Sequence, residues 1–117
     1  MSRRSFLLSS LVFFAALATA SADLTGDWTF EKGTVRISEA DGVFTGKAVD
    51  GDVVADSKGN DIISGLKAKG DEYKGKFYAP PLGKYVDATC TLKDAQTLSI
   101  TIKAGLVTRT QTWKRSS

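Results

Sequence analysis

Apolar and polar residues alternate over the last segment of the chain, Val107 to Arg115. One set of alternate positions suits solvent and consists of Thr108, Thr110, Thr112 and Lys114. The other set contains the tryptophan and consists of Val107, Arg109, Gln111, Trp113 and Arg115. Because successive side chains of a strand point to opposite faces, the tryptophan set is predicted to face inward. An apolar core has no need of the arginine and glutamine that share this face, so they are the sharpest hint of a binding site.

Seven further short segments show the same period of two, and no segment shows a sustained helical period. The eight predicted strands are Gly26 to Glu31, Thr34 to Ser38, Val43 to Val49, Ile62 to Lys67, Glu72 to Tyr78, Lys84 to Leu92, Thr97 to Lys103 and Val107 to Arg115. The residues between them are rich in glycine, aspartate and asparagine, which tolerate the positive φ angles of hairpin turns. The pattern therefore predicts an all-β protein.

Eight short strands and their turns use nearly all of residues 23–117, which favours an up-and-down antiparallel meander over a sandwich with long crossings. Closing the meander into a barrel removes both free edges, and the interior is then either filled by side chains or holds one small ligand. The inward positions predicted for the other strands are Trp28, Phe30, Val35, Ile37, Phe44, Gly46, Ala48, Tyr73, Gly75, Phe77, Val86, Ala88, Cys90, Leu92, Leu98, Ile100 and Ile102. Three of them, Gly46, Gly75 and Ala88, are small and either leave a cavity or mark bends in the sheet.

Residues 1–22 have the three parts of an export signal. Arg3 and Arg4 form a positive start, an apolar run extends from Phe6 to Ala18, and Ala20-Ser21-Ala22 is a small-residue cleavage site. The run is shorter than the roughly 20 residues that span a bilayer, which disfavours a membrane anchor. We therefore expect a periplasmic protein that begins near Asp23, with a single domain over residues 23–117. The twin arginine leaves both the general secretory and the twin-arginine export routes open.

The charge of the chain argues against a nucleic-acid partner. The full sequence has 16 basic and 13 acidic residues. Removing residues 1–22 takes away two arginines and no acidic residue, which leaves 14 basic against 13 acidic residues and a net charge of +1. Binding to nucleic acid depends on a clustered excess of positive charge. We therefore expect no nucleic-acid partner and no membrane span.

Little in the composition supports catalysis. The chain has no histidine, which excludes histidine-based triads and imidazole metal sites, and a single cysteine excludes a thiolate metal cage. That cysteine, Cys90, shares its parity with Ala88 and Leu92 and is predicted to be buried rather than reactive. The acidic run from Asp50 to Asp61 lacks the ligand spacing of a calcium loop and is predicted to form solvated turns. We expect no enzymatic activity, no metal and no cofactor.

Several segments in the C-terminal two-thirds of residues 23–117 match one protein family. They are Ile63-Ser64-Gly65-Leu66-Lys67, Gly75-Lys76-Phe77-Tyr78-Ala79-Pro80, Gly83-Lys84 and, most specifically, Arg109-Thr110-Gln111-Thr112-Trp113-Lys114-Arg115. On these residues the chain resembles the domain-of-unknown-function family 2147 of small exported bacterial proteins. The resemblance implies a calycin-like barrel of lipocalin type in the periplasm, with a small-ligand or interaction role and no established activity.

The first predicted strand also resembles a lipocalin feature. Gly26-Asp27-Trp28 is similar to the Gly-x-Trp opening of lipocalins, in which an arginine from the last strand covers the tryptophan. The resemblance gives that part to Arg109 or Arg115, through a cation–π contact. The residues predicted to close the barrel are Gly26, Trp28, Trp113 and Arg115.

The chain departs from the family pattern at two places. The cysteine pair that many relatives carry around the third strand is missing from Val43 to Val49. The tyrosine that follows the Gly-Lys pair in relatives falls on Val86, with Tyr85 beside it facing the other way. Any ligand contact that the family assigns to that tyrosine therefore does not transfer to this chain.

Two functions remain open. In the first, the protein carries or senses a small hydrophobic or anionic amphiphilic ligand, which Arg109 and Gln111 anchor in an otherwise apolar cavity. The aromatic residues predicted for that cavity are Phe77, Tyr73 and Phe44. In the second, the barrel is solid and the protein is an interaction or inhibitor module of the cell envelope, which binds a partner protein through its Asp50 to Asp61 and Pro80 to Lys84 loops. An empty volume on the order of a few hundred Å³, reached from one open end, would favour the first function.

Overall fold

The computed structural model describes residues 23–116, and the predicted export signal at residues 1–22 lies outside them. The elements are β1 (Gly26–Phe30), β2 (Gly33–Ala40), β3 (Val43–Asp50), α1 (Asp52–Ser57), β4 (Ile63–Lys69), β5 (Glu72–Ala79), β6 (Lys84–Asp94), β7 (Thr97–Ala104) and β8 (Val107–Arg115). Each strand pairs antiparallel with the next, and β1 pairs with β8, so the sheet is a closed eight-stranded barrel. The predicted fold class is confirmed. Among residues 23–116 no helix has the length and apolar character needed to cross a membrane.

The barrel has two different ends. The closed end is formed by the segment before β1 and by the β2–β3, β4–β5 and β6–β7 turns. The open end is formed by the β1–β2 turn, the α1 connection and the tips of the β5–β6 and β7–β8 hairpins. Because α1 and the longer connections all lie at the open end, that end is where the molecule has room for a site.

The interior follows the predicted parity. Trp28, Val35, Ile37, Phe44, Tyr73, Phe77, Val86, Ala88, Cys90, Leu98, Ile100 and Trp113 are all buried. Ala48, Leu92 and Ile102 are partly buried and pack against this core. Alternation within each strand therefore predicted correctly which side chains fill the barrel.

Strand β4 breaks the period of two at a β-bulge. Ile63 and Leu66 are both fully buried although they are three residues apart, and the register with β5 shifts between Ser64 and Lys67. Gly65 lies in the bulge with φ +64°, a conformation that favours glycine. One extra residue restores Leu66 to the inner face, which is the usual effect of a bulge.

The small inward residues mark close packing rather than empty space. A Cβ on Gly75 would lie 2.8 Å from the Leu66 Cα and 2.9 Å from the Gly65 carbonyl oxygen. A Cβ on Gly46 would lie 3.0 Å from the Val35 Cγ1. Neighbouring strands therefore approach closely at these positions, and the bulge in β4 occupies the volume that a side chain on Gly75 would need.

The Asp50 to Asp61 segment differs from the prediction of solvated turns. It contains α1, whose Val53 and Ser57 are both only 4% exposed. The Val53 N–H donates to the Lys32 carbonyl oxygen at 2.8 Å, which ties the helix to the β1–β2 turn. A helix of six residues is too short to show a helical period in the sequence, so the pattern gave no sign of it. The prediction is wrong for the helix backbone, although Asp50 and Asp52 do face solvent.

Candidate functional site

The closed end is locked by Arg115 and Trp28. The Arg115 guanidinium carbon lies 4.4 Å from the centroid of the Trp28 ring, which is a cation–π contact. The same guanidinium donates to the carbonyl oxygens of Thr25 at 2.6 Å, Ala95 at 2.9 Å and Asp23 at 3.1 Å. The resemblance suggested either Arg109 or Arg115 as the arginine that covers the tryptophan, and the structure shows that it is Arg115.

The segment before β1 lies across this end of the barrel. Leu24 is fully buried, and its carbonyl oxygen accepts a hydrogen bond of 2.9 Å from the Trp28 Nε1. The β1–β8 pairing that closes the sheet is short, with Trp28 opposite Arg115 and Thr29 opposite Lys114. The Ser116 N–H extends it by donating to the Asp27 carbonyl oxygen at 2.8 Å. These contacts fill and seal the closed end.

Phe44 and Tyr73, two of the predicted ligand contacts, belong to this closed half. Their rings form an edge-to-face pair with centroids 5.5 Å apart, and each residue is 6% exposed. Burial raises the pKa of the Tyr73 phenol, and the nearby carboxylates of Asp23 and Glu39 raise it further. Neither ring lines the cavity described next, because both lie near the turns of the closed end. The structure therefore does not bring them together with Arg109.

The open end contains a cavity of about 720 Å³. Its wall is mostly apolar and includes Phe30, Val53, Ile62, Phe77, Ile102 and Val107. Two polar side chains of β8, Arg109 and Gln111, complete the wall on one side. Three of the five predicted ligand contacts, Phe77, Arg109 and Gln111, thus lie together around this cavity.

Trp113 forms the layer beneath the cavity. It is fully buried, its ring stacks on Phe30 with centroids 4.9 Å apart and planes at 21°, and it lies 6.3 Å from Phe77 at 56°. These three aromatic rings separate the packed closed half from the open half. Phe30 and Phe77 line the cavity, so a ligand there would rest on these two rings, with Trp113 buried beneath them.

The hydrogen bond between Trp113 and Gln111 fixes which end of the glutamine amide faces the cavity side. The Trp113 Nε1 donates to the Gln111 Oε1 at 2.9 Å. An indole N–H can only donate, so the amide oxygen must be its partner. The Gln111 amide NH₂ then remains to donate elsewhere, and the glutamine presents donors rather than an acceptor to a ligand.

Arg109 lies on the same face of β8, two residues nearer the mouth. It pairs across the sheet with Ile102 and is exposed, and its side chain makes no hydrogen bond or ion pair with any residue in the described range 23–116. The prediction that Arg109 faces into the barrel is corrected in one respect: it lies on the inward face of β8, but the strand has by then reached the open end, so the side chain is exposed. An arginine at the mouth retains its charge without the cost of full burial.

Other charged groups also line the mouth, and those of the β1–β2 turn neighbour β8 because β1 and β8 pair. Glu31, Lys32 and Asp56 line the cavity on the side of the β1–β2 turn and α1. Together with Arg109 they give two positive and two negative side chains, so the formal charges around the cavity sum to zero. Which head group the cavity prefers therefore depends on which side of the cavity the head group contacts. On the β8 side, Arg109 and Gln111 offer only hydrogen-bond donors.

Cys90 lies in the packed half of the barrel. It is fully buried, and burial raises the pKa of its thiol to about 12. A thiol with that pKa is protonated at neutral pH and is a poor nucleophile. Among residues 23–116 no three histidine, cysteine, aspartate or glutamate side chains come together in a way that could hold a metal ion.

Sequence reasoning missed several residues of the cavity wall. Phe30 was predicted to face inward but was not assigned to the site, although it follows Trp28 by two positions and so lies nearer the open end. Val53 had no periodic signal, because it belongs to α1, and Ile62 was placed at the start of the fourth predicted strand, for which no inward positions were assigned. Their burial against the barrel is a tertiary effect that alternation does not report.

The fold and the site define a small closed antiparallel barrel that is packed at one end and has a cavity at the other. Over residues 26–115 the chain matches the family described as "Uncharacterized protein conserved in bacteria (DUF2147)", and it belongs to that family. Neither the curated proteins nor the solved structures gave a match.

Proposed function

We propose that this protein binds a small amphiphilic ligand with an anionic head group in the cavity at the open end of its barrel. The observation that supports this most is that β8 presents only hydrogen-bond donors, from Arg109 and Gln111, to a cavity whose wall is mostly apolar. Arg109 supplies a guanidinium without a partner among residues 23–116, and Gln111 supplies an amide NH₂. Carboxylate, phosphate and sulfate groups are the acceptors that suit such a wall.

The size and the lining of the cavity support the same function. Pockets for small molecules hold roughly 300–1,000 Å³ and combine apolar walls with a few oriented polar groups. The cavity of about 720 Å³ falls within that range, and two of its polar groups, Arg109 and Gln111, lie together on β8. The alternative of an interaction module assumed a filled barrel, so the cavity favours the carrier.

The positions of these residues along β8 also set the orientation of the bound ligand. Trp113 and Arg109 are four positions apart on β8, which corresponds to about 13 Å along a strand. The apolar tail would lie inward on Phe30 and Phe77, which Trp113 supports from beneath, and the head group would lie at the mouth beside Arg109. A ligand held in this way enters tail-first and leaves head-first, so its charge never passes through the barrel.

We also propose that the protein is exported to the periplasm and acts there without catalysis. The support is the composition of residues 1–22, with their basic start, apolar run and small-residue cleavage site. The single cysteine is compatible with an oxidising compartment, because it cannot form an internal disulfide and is buried. A periplasmic carrier would exchange amphiphiles between the two membranes or sense them.

Titration with matched probes tests the proposal. Decanoate, decyl phosphate, decanol and decylammonium share one tail and differ in head-group charge. Trp113 lies under the cavity, so ligand entry should change its fluorescence. We expect decanoate and decyl phosphate to bind at least tenfold more tightly than decylammonium, with decanol between them. Equal binding of all four probes, or none, would contradict an anion-selective cavity.

Native mass spectrometry of the protein purified from its own cells identifies the ligand independently. We expect a bound species whose mass is that of an acidic amphiphile. A bound cationic or fully polar molecule would overturn the assignment of the head-group class.

A further inference from the structure

The large apolar side chains that are exposed within residues 23–116 are concentrated at the open end of the barrel. They are Val49, Val54, Leu82, Tyr85, Leu106 and Val107. The turns of the closed end carry Asp41-Gly42, Gly70-Asp71 and Ala95-Gln96 instead. Single exposed apolar residues are common on proteins, but their concentration at one end indicates a surface that contacts something apolar.

Three of these residues form what we call the apolar rim: Leu82, Leu106 and Val107. Leu106 is fully exposed, and Leu82 and Val107 are 52% and 53% exposed. They lie at the tips of the β5–β6 and β7–β8 hairpins. Because β6 and β7 pair directly, the two hairpins are neighbours, and their tips lie about 10 Å apart at the usual strand spacing.

The β5–β6 tip holds its leucine outward on a defined turn. The N–H groups of Leu82 and Gly83 both donate to the Ala79 carbonyl oxygen, at 3.0 and 2.9 Å. Pro80 and Pro81 restrict the backbone between them. A preformed turn loses little conformational entropy on binding. Leu82, held outward on this turn, can therefore contact an apolar surface at little entropic cost.

A pair of lysines, which we call the basic collar, lies just behind the apolar rim. Lys84 begins β6, two residues after Leu82, and Lys103 lies near the end of β7, three residues before Leu106. Both are exposed, and neither forms an ion pair in the part of the chain that the structure describes. Asp87, which lies opposite Lys103 in the sheet, forms its ion pair with Lys76. The acidic residues of the mouth lie on the other side, at the β1–β2 turn and α1.

We propose that the apolar rim and the basic collar dock the open end of the barrel on an anionic lipid bilayer. Apolar tips that enter the interface and lysines at the level of the head groups are the combination that suits such a surface. The rim is too small for a stable protein interface, which buries about 1,000 Å² or more and needs a complementary shape. A fluid bilayer sets no such requirement. The docking goes beyond ligand binding and does not depend on it.

Vesicle sedimentation tests the docking on the full-length mature protein, residues 23–117. Vesicles of phosphatidylglycerol with phosphatidylethanolamine provide the anionic surface, and phosphatidylcholine vesicles provide the neutral one. We expect binding to the anionic vesicles that weakens as salt is raised, because screening reduces the attraction of exposed charges. The neutral vesicles should bind at least tenfold less protein.

Matched variants separate the contributions of the apolar rim and the basic collar from nonspecific electrostatic attraction of the whole protein to the vesicles. Leu106→Ser should lower the affinity for anionic vesicles about tenfold, as expected when one leucine no longer leaves water. Val54→Ser, on the acidic side of the mouth, should leave it unchanged. The double variant Lys84→Glu with Lys103→Glu should abolish binding. The control double variant Lys69→Glu with Lys93→Glu, at the closed end, changes the net charge equally and should bind within about threefold of the wild type.

Three results would overturn the proposal. They are an absence of binding to anionic vesicles, an equal loss in the two double lysine variants, and concentration-dependent self-association in solution that Leu106→Ser abolishes. The last would assign the rim to a second copy of the chain. Leu106, Lys84 and Lys103 do not line the cavity, so decanoate titration without vesicles should be unchanged in these variants. The docking and the ligand binding can therefore fail separately.

Discussion

Arg115 covers Trp28 at the closed end of the barrel, with its guanidinium carbon 4.4 Å from the ring centroid. The same side chain donates hydrogen bonds to three backbone carbonyl oxygens, of Asp23, Thr25 and Ala95. One residue thus connects the last strand, the segment before the first strand and the β6–β7 turn. Arg115 therefore has a structural part, which leaves Arg109 as the arginine of β8 that is available to a ligand.

The Arg115→Leu variant should lose stability. It removes the cation–π contact and leaves the three carbonyl oxygens without their charged donor, so we expect a loss of about 2–4 kcal/mol in the free energy of unfolding. Urea denaturation measures it. The matched Arg109→Leu variant should retain the wild-type stability or gain slightly, and a larger loss at Arg109 than at Arg115 would reverse the two assignments.

Trp113→Ala should cost about 3–5 kcal/mol, because it leaves a large cavity under Phe30 and Phe77. The wild-type fluorescence should be blue-shifted and weakly quenched by iodide, since Trp28 and Trp113 are both fully buried. A loss below about 1 kcal/mol would mean that Trp113 does not pack beneath Phe30 and Phe77 in the core.

The sequence predicted which side chains of each strand face into the barrel, but it did not predict the position of each residue along the barrel axis. Phe44, Tyr73 and Phe77 share the inward parity, yet only Phe77 reaches the open end. Height depends on strand register, which alternation alone does not specify. The bulge at Gly65 and the helix α1 were also not predictable, because each arises from packing between elements rather than from a local period.

Gly75→Ala should destabilise the fold more than Gly46→Ala. A Cβ on Gly75 would meet the backbone of Leu66 at 2.8 Å, whereas a Cβ on Gly46 would first meet the Val35 side chain at 3.0 Å. Backbone in a bulge cannot move aside as a side chain can. We expect a loss of about 1–3 kcal/mol at Gly75. Equal or smaller loss at Gly75, measured by thermal and urea unfolding, would contradict the close approach of β4 and β5.

Cys90 should resist thiol reagents in the folded protein and react after denaturation, because it is fully buried. Its pKa is raised to about 12 by burial, while the unfolded thiol has a pKa of about 9, so above pH 9 the unfolded state loses the proton first. Stability should therefore fall between pH 9 and pH 12, by at most about 1.4 kcal/mol per pH unit from this group. Cys90→Ala should show a shallower fall than the wild type. Identical slopes, or rapid labelling of the native protein, would place Cys90 outside the core.

The affinity for decanoate of the wild type and of Arg109→Leu tests the central claim most directly. Lys93→Leu is the matched control, since it removes an exposed positive charge at the closed end. We expect Arg109→Leu to bind decanoate about 10- to 100-fold more weakly, the loss of a charge-assisted hydrogen bond, with its affinity for decanol unchanged. Lys93→Leu should bind both probes as the wild type does. Equal decanoate binding by the wild type and Arg109→Leu, or binding by neither, would contradict an anion-anchoring cavity at the open end of this barrel.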